Sequence, residues 1–324
     1  MNIISIILLL WRIILLSCCY GAATTSAASW PIAKPNCTTH CGDVAIPYPY
    51  GIGPSKDCYL DEWFQIDCRL TNSTTSANYR QVPFLKSVDL ELLSISPFDD
   101  GSGTQSVRVK NPITFFSCEG KETRQPQNLT GSPFIYSQKD NKFIAVSCDL
   151  FALMSSDHGT VAGCRSICRN TTGGDFGTCY EGIDCCEGFL PRYELTNFSI
   201  EIPSDPMGHC KYAFLVDYSF VNNLTNFQDV KDMDSVTVVL DWMLNVHDYG
   251  ERFSEGFREK SDPTGNQSTP FCTSNISDST YRYNWNAMIC ACQPGMEGNP
   301  YLLQPCQGTQ TESLLSGFRL ILDF

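Results

Sequence analysis

A mostly β fold, built as disulfide-rich extracellular modules with long loops, follows from three observations. The first is cysteine. The chain carries 18, and two of them, Cys18 and Cys19, fall in an apolar leader. The remainder is an even set, and even cysteine counts in a secreted chain imply a disulfide framework. The second is alternation. Val107 and Val109 alternate with Arg108 and Lys110, Val88, Leu90 and Leu92 with Asp89 and Glu91, and Phe198, Ile200 and Ile202 with Ser199 and Glu201. Val236, Val238, Leu240 and Trp242 share one parity. A period of two marks half-buried strands. The third is punctuation: Asp100-Gly101-Ser102-Gly103 and Thr172-Gly173-Gly174-Asp175 read as turns.

The leader sets the compartment. Ile3–Leu10 and Ile13–Leu16 are apolar but broken by Arg12, too short for a span of about 20 apolar residues. Ser26-Ala27-Ala28 fits a small-x-small cleavage site, so residues 1–28 read as a signal peptide. Secretion into an oxidising space is consistent with cysteine pairing. The disulfide set is expected to be Cys37, Cys41, Cys58, Cys68, Cys118, Cys148, Cys164, Cys168, Cys179, Cys185, Cys186, Cys210, Cys272, Cys290, Cys292 and Cys306. Adjacent Cys185 and Cys186 are expected to join different strands, because a bond between neighbours is strained. Asn-x-Ser/Thr sequons at Asn36, Asn72, Asn128, Asn170, Asn197, Asn223, Asn266 and Asn275 are candidate glycosylation sites on a secreted chain.

Three segments are separable by cysteine spacing and composition. Residues 37–148 end in the apolar run Phe143–Val146, and residues 149–244 end near Trp242. Residues 245–270 are polar and charged and read as a linker. Residues 271–306 are loop-rich, and residues 307–324 are expected to be an unstructured tail.

The first segment opens with Cys41-Gly42-Asp43-Val44-Ala45-Ile46-Pro47-Tyr48-Pro49-Tyr50-Gly51, followed by Cys58 and Trp63-Phe64-Gln65-Ile66-Asp67-Cys68. Two prolines two residues apart exclude a helix interior. This run resembles the galacturonan-binding ectodomain of plant wall-associated receptor kinases. Gly163-Cys164-Arg165-Ser166-Ile167-Cys168, Gly182-Ile183-Asp184-Cys185-Cys186, Cys210-Lys211-Tyr212-Ala213-Phe214 and Val238-Val239-Leu240-Asp241-Trp242 resemble the cysteine-rich block that follows in that family. Cys290-Ala291-Cys292, Gly298-Asn299-Pro300-Tyr301 and Cys306 resemble the latter half of an EGF-like module. That resemblance implies pairing of Cys292 with Cys306, and of Cys290 with Cys272. The family continues into a membrane helix and a kinase. This sequence carries no Gly-rich kinase loop, His-Arg-Asp or Asp-Phe-Gly motif, and Leu314–Phe324, interrupted by Arg319 and Asp323, cannot span a bilayer.

Several function classes are disfavoured. The formal charge is −13, which argues against nucleic acid as a partner. No Gly-x-Ser-x-Gly elbow occurs, and His40, His158, His209 and His247 have no spacing that assembles a triad or a metal site, so no metal, no cofactor and no enzymatic activity are expected. No membrane span is expected. A location in the cell wall or apoplast follows, with a membrane location only for a longer form.

The resemblance implies a pectic polysaccharide ligand, a chain bearing regular carboxylates. Binding it needs spaced cations, with Arg favoured for bidentate contact. The first segment offers Arg80, Lys86, Arg108 and Lys110. Alternation puts Arg108 and Lys110 on one solvent face, about 7 Å apart. Tyr48, Tyr50 and Trp63 are candidate sugar-stacking rings, with core packing as the other fate of such side chains. A protein-interaction role, as a soluble partner for a receptor-like protein, is the second reading. A secreted hydrolase is the third.

Overall fold

The computed structural model describes residues 31–72, 79–98, 105–157, 159–168, 179, 182–190, 194–203, 209–223, 227–250, 271–274, 287–292, 296–302 and 306–308. Strands dominate these residues, and helices are single short turns. From Ile32 onward the chain forms one compact unit.

Its largest element is a seven-stranded sheet, ordered Gly51–Ile52, Gln65–Asn72, Tyr79–Leu85, Leu90–Ile95, Gln105–Pro112, Ser235–Trp242, Phe134–Tyr136. The first pair is parallel and the rest are antiparallel. The strand Ser235–Trp242, from the second cysteine-defined segment, lies between two strands of the first. It pairs with Gln105–Pro112 along its whole length, from Ser235 opposite Pro112 to Trp242 opposite Gln105. Strand alternation is realised here: Val107 and Val109 are buried, as are Val238, Leu240 and Trp242, while Arg108 and Lys110 point to the other face. The alternation around Val88 is realised differently. The strand starts at Leu90, and Asp89 turns the chain at φ 51°. Val88 is buried all the same, from within the turn.

A four-stranded sheet, ordered Cys185–Gly188, Asn141–Val146, Lys211–Asp217, Thr114–Phe116, packs beside it. Its two central strands are covered on both faces, which is why Phe143–Val146 reads as an unbroken apolar run. Phe143, Ala145, Ala213 and Leu215 join the core shared with the seven-stranded sheet. Ile144, Val146, Tyr212, Phe214 and Val216 form a second core on the opposite face. The sheets are tied by Asn141. Its amide donates to the carbonyls of Ser137 (2.8 Å) and Val239 (2.7 Å), and its oxygen accepts from the Val239 N–H (2.9 Å).

Disulfides join Cys37–Cys58, Cys41–Cys68, Cys118–Cys210, Cys148–Cys168, Cys164–Cys186, Cys179–Cys185 and Cys292–Cys306. Cys185 and Cys186 thus hold different partners. Cys290 is also disulfide-bonded, and its register partner across the strands Phe271–Ser274 and Ala287–Ala291 is Cys272. The third segment is locked to the first by polar contacts. Gln105 Nε2 donates to the Cys290 carbonyl (2.9 Å), and the Tyr301 hydroxyl donates to Gln105 Oε1 (2.5 Å). Asn299 Nδ2 donates to the Tyr48 carbonyl (2.6 Å) and the Ile32 carbonyl (3.0 Å). Within the polar stretch that follows Trp242, Leu244–Asn245 forms a strand and Val246–Tyr249 a helical turn, with the Tyr249 hydroxyl bonded to Asp61. Residues 251–270 lie outside the described residues.

Candidate binding face

The Pro-Tyr-Pro-Tyr-Gly run builds the rim of the sheet rather than a ligand surface. At Gly51 any side chain would collide with the Cys58 carbonyl, 2.1 Å from where a Cβ would stand, so glycine is required there. Tyr50 is fully buried, edge-on to Phe64 (5.2 Å) and Trp242 (5.7 Å). Burial holds its hydroxyl well above the usual phenol range. Tyr48 is buried too, with Lys34 over its ring at 4.5 Å. Trp63 is half-buried against the same core. Of the two fates open to these rings, Tyr48 and Tyr50 have taken core packing. The sheet needed large apolar side chains at this corner, and a buried ring has no face left for a sugar.

The cations behave differently. Asp67 pairs with Phe84, Arg69 with Val82 and Thr71 with Arg80 across the strands, and Phe84 pairs with Glu91. All of these lie on the face opposite the buried Leu85, Leu90 and Leu92. Lys110 and Arg108 continue the same outer face on the next strand. The result is a set of cations from three strands of the sheet, Arg69, Arg80, Lys110 and Arg108, with Glu91 on the strand Leu90–Ile95 between them. Lys86, at the end of its strand, donates to Gln65 Oε1 at 3.0 Å. Arg69 was not among the residues singled out from sequence. The polar parity of Asp67, Arg69 and Thr71 along the strand Gln65–Asn72 is the signal that could have found it.

Arg69, Arg80, Arg108 and Lys110 each have an acidic neighbour. Arg69 Nε lies 2.8 Å from Asp67 and its NH2 group 2.7 Å from Asp89, with the guanidinium stacked 4.0 Å over Phe84. These bonds raise the Arg69 pKa, the Asp67 bond first. Lys110 Nζ pairs with Glu91 at 2.7 Å, and Arg80 meets Asp43 at 3.7 Å on an open edge. Arg108 Nε bonds Asp217 Oδ2 at 2.8 Å. Asp217 is only 4% exposed, and its other oxygen accepts from the Ser219 N–H and hydroxyl, both at 2.8 Å. An arginine has five N–H donors in a planar fork, so a bond through Nε leaves the terminal groups for a ligand. Arg108 is therefore both an anchor for a buried carboxylate and part of the open face.

Among the described residues no group of three or more His, Cys, Asp or Glu could hold a metal ion. His40, His209 and His247 are exposed, and His158 lies outside the described residues. Of the sequons, Asn36 and Asn128 are exposed and Asn197 is half-buried. Asn170, Asn266 and Asn275, and the side chains of Asn72 and Asn223, lie outside the described residues.

A mostly β body, stapled by seven disulfides among the described residues and carrying a polar outer sheet face, defines the class: a disulfide-rich β ectodomain. Family comparisons place it further. Residues 37–109 match the model described as wall-associated receptor kinase galacturonan-binding, and residues 177–251 match that of wall-associated kinase. The chain is 31% identical over 301 residues to the Arabidopsis thaliana wall-associated receptor kinase-like 3, covering 87% of this chain and 40% of that protein. It is 32% identical to wall-associated receptor kinase-like 1 of the same organism, covering 64% and 30%. Wall-associated receptor kinase-like 5 is 30% identical, covering 84% and 38%. This chain is a wall-associated receptor kinase-like ectodomain, and it spans about two fifths or less of the length of these relatives. Neither matched region is a kinase domain, and no helix among the described residues is long and apolar enough to cross a membrane. No solved structure matches.

Proposed function

We propose that this chain is an extracellular, non-enzymatic polysaccharide-binding ectodomain whose ligand is de-esterified pectin. The single observation that carries the reading is the group of Arg69, Arg80, Arg108 and Lys110 on the outer sheet face; the three arginines lie inside the region whose family is described as galacturonan-binding, and Lys110 follows it directly. A galacturonan presents one carboxylate per sugar along an extended chain, and a row of cations along one face is its counterpart. The overall charge of −13 does not oppose this, because exposed charges act over a Debye length of about 8–10 Å. On this face the acids are already bound to the cations. A uronate chain would exchange with Asp43, Asp67, Asp89 and Glu91 for guanidinium and ammonium donors. Exposed pairs are individually worth about 1 kcal/mol or less, so exchange is cheap and affinity has to come from several contacts together.

The test is binding of the secreted protein to polygalacturonate and to its methyl ester at low salt. The expected result is tighter binding to the free acid, since the ester lacks charge. Equal affinity for the two would remove the cation-to-carboxylate mechanism and favour a protein partner. Expression in plant cells should deliver the product to the wall or apoplast, with a mass that falls on deglycosylation.

A further inference from the structure

A second surface cluster lies on the four-stranded sheet, on the face that carries Ile144, Val146, Phe214 and Val216. Lys142 sits at the end of that face. The register places it opposite Val216 on one side, and pairs Phe143 with Gly188 on the other, so that Phe189 is the next residue beyond the paired strand. The Lys142 ammonium is nearly equidistant from the two oxygens of Glu187, at 3.2 and 3.3 Å. It also lies 4.2 Å from the centre of the Tyr218 ring and 5.7 Å from that of Phe189. Both rings therefore border one ammonium.

The exposure of the two rings distinguishes this cluster from ordinary packing. Phe189 is 74% exposed and Tyr218 44%, while Lys142 and Glu187 between them are mostly buried, at 21% and 13%. The usual arrangement is reversed: the charges are sheltered and the apolar rings stand in water. Leaving a phenylalanine exposed forgoes the gain of burying it. The ion pair is neutral as a whole, so the site does not select for an anion. It offers up to three N–H donors from Lys142 beside carboxylate acceptors from Glu187, with an aromatic ring on either side.

We propose that Lys142, Glu187, Tyr218 and Phe189 form a second carbohydrate-contact site, which takes one pyranose residue of a wall polysaccharide. The apolar C–H face of the sugar lies on Phe189 or Tyr218. One hydroxyl accepts from Lys142, and a neighbouring hydroxyl donates to Glu187. The proposal rests on the reading of this chain as a polysaccharide binder, but it does not use carboxylate chemistry. The two sites therefore differ in what they require of the ligand. The outer sheet face needs free uronates, and this one needs only a ring with adjacent hydroxyls.

The experiment uses the full secreted chain and an uncharged probe, a fully methyl-esterified oligogalacturonide, with calorimetric titration at low and high salt. The wild type should bind the probe weakly and with little change between the two salt levels. Phe189→Ala and Tyr218→Ala should each weaken binding about three- to tenfold, the scale of one aromatic contact. Phe189→Ala removes a ring that stands in water, so it leaves the fold unchanged. Phe189→Trp preserves stacking; it should retain binding and add a ligand-dependent change to the emission spectrum. Wild-type levels of binding in both alanine variants, or failure of the wild type to bind the uncharged probe, would overturn the proposal. Neither outcome touches the outer sheet face, whose failure would instead appear as equal affinity for polygalacturonate and its ester.

Discussion

Asn141 and Arg108 both bring polar groups to the seam between the two large sheets, and the fold uses them in contrasting ways. Asn141 is buried, and all three of its hydrogen bonds go to backbone, two of them to Val239. Arg108 sits in the same seam, on the strand register-paired to Val239. It commits one nitrogen to the buried Asp217 and turns the rest outward. Buried polar groups must be fully paired, because a lost partner costs the desolvation of whatever remains. Polar groups on the open face exchange partners at little cost. The difference teaches where to look for binding: among polar groups whose present partners can be replaced.

The contrast is open to direct breakage. Asn141→Leu should have the largest effect. It strands the Val239 N–H in the core, whose carbonyl keeps the Ser137 N–H at 3.0 Å, and should cost about 2–3 kcal/mol, read as a lower midpoint in denaturant with no change in ligand specificity. Arg108→Ala should come next, at about 2 kcal/mol, because it leaves a nearly buried carboxylate with only its Ser219 contacts. Arg108→Lys keeps the charge and should recover most of that loss. This coupling means that replacing Arg108 and Lys110 together, the obvious test from sequence, mixes folding with binding. Lys110→Gln alone, facing a partly exposed Glu91, should change stability by about 1 kcal/mol.

Glu194 lies between the two regimes, and its effect is read as a pH dependence. It is half-buried, and burial lifts its pKa to about 7. A carboxyl raised in the folded state favours the neutral form. Its contribution is present below the ordinary carboxylate pKa and is lost as pH rises through about 7. Denaturation midpoints should therefore fall between roughly pH 4.5 and 7, and Glu194→Gln should flatten that part of the curve. An unchanged slope in the variant would assign the pH dependence elsewhere.

Much of the fold was legible in sequence, and the exceptions have physical reasons. The alternation at Val107–Lys110 and the apolar run Phe143–Val146 announced a half-buried strand and a strand covered on both faces. The EGF-like spacing implied Cys292–Cys306, which the structure contains. The place of Ser235–Trp242 between Gln105–Pro112 and Phe134–Tyr136 was not legible. Alternation fixes which face a strand buries but not which strand it pairs with. Tyr48 and Tyr50 were ambiguous for a related reason: a ring suited to stacking on sugar is equally suited to a core. Arg69 was missed although Asp67, Arg69 and Thr71 keep a polar parity along their strand; that this parity shares a face with Arg80 and Lys110 depends on strand pairing, which alternation does not fix. The cluster around Lys142 was not legible at all, since it joins residues from three separate strand ends.

The central claim is that exchangeable cations on the outer sheet face hold a polyanionic chain. Its most direct test is the affinity for polygalacturonate across a salt series, for the wild type and for Arg80→Gln/Lys110→Gln, two exposed cations whose partners Asp43 and Glu91 both keep contact with solvent. The account predicts that wild-type affinity falls steadily as salt rises, since exposed charges are screened. It also predicts that the double variant binds several-fold more weakly at low salt, with a shallower slope. Affinity that ignores salt, or a double variant whose binding matches the wild type at every salt concentration, would contradict it.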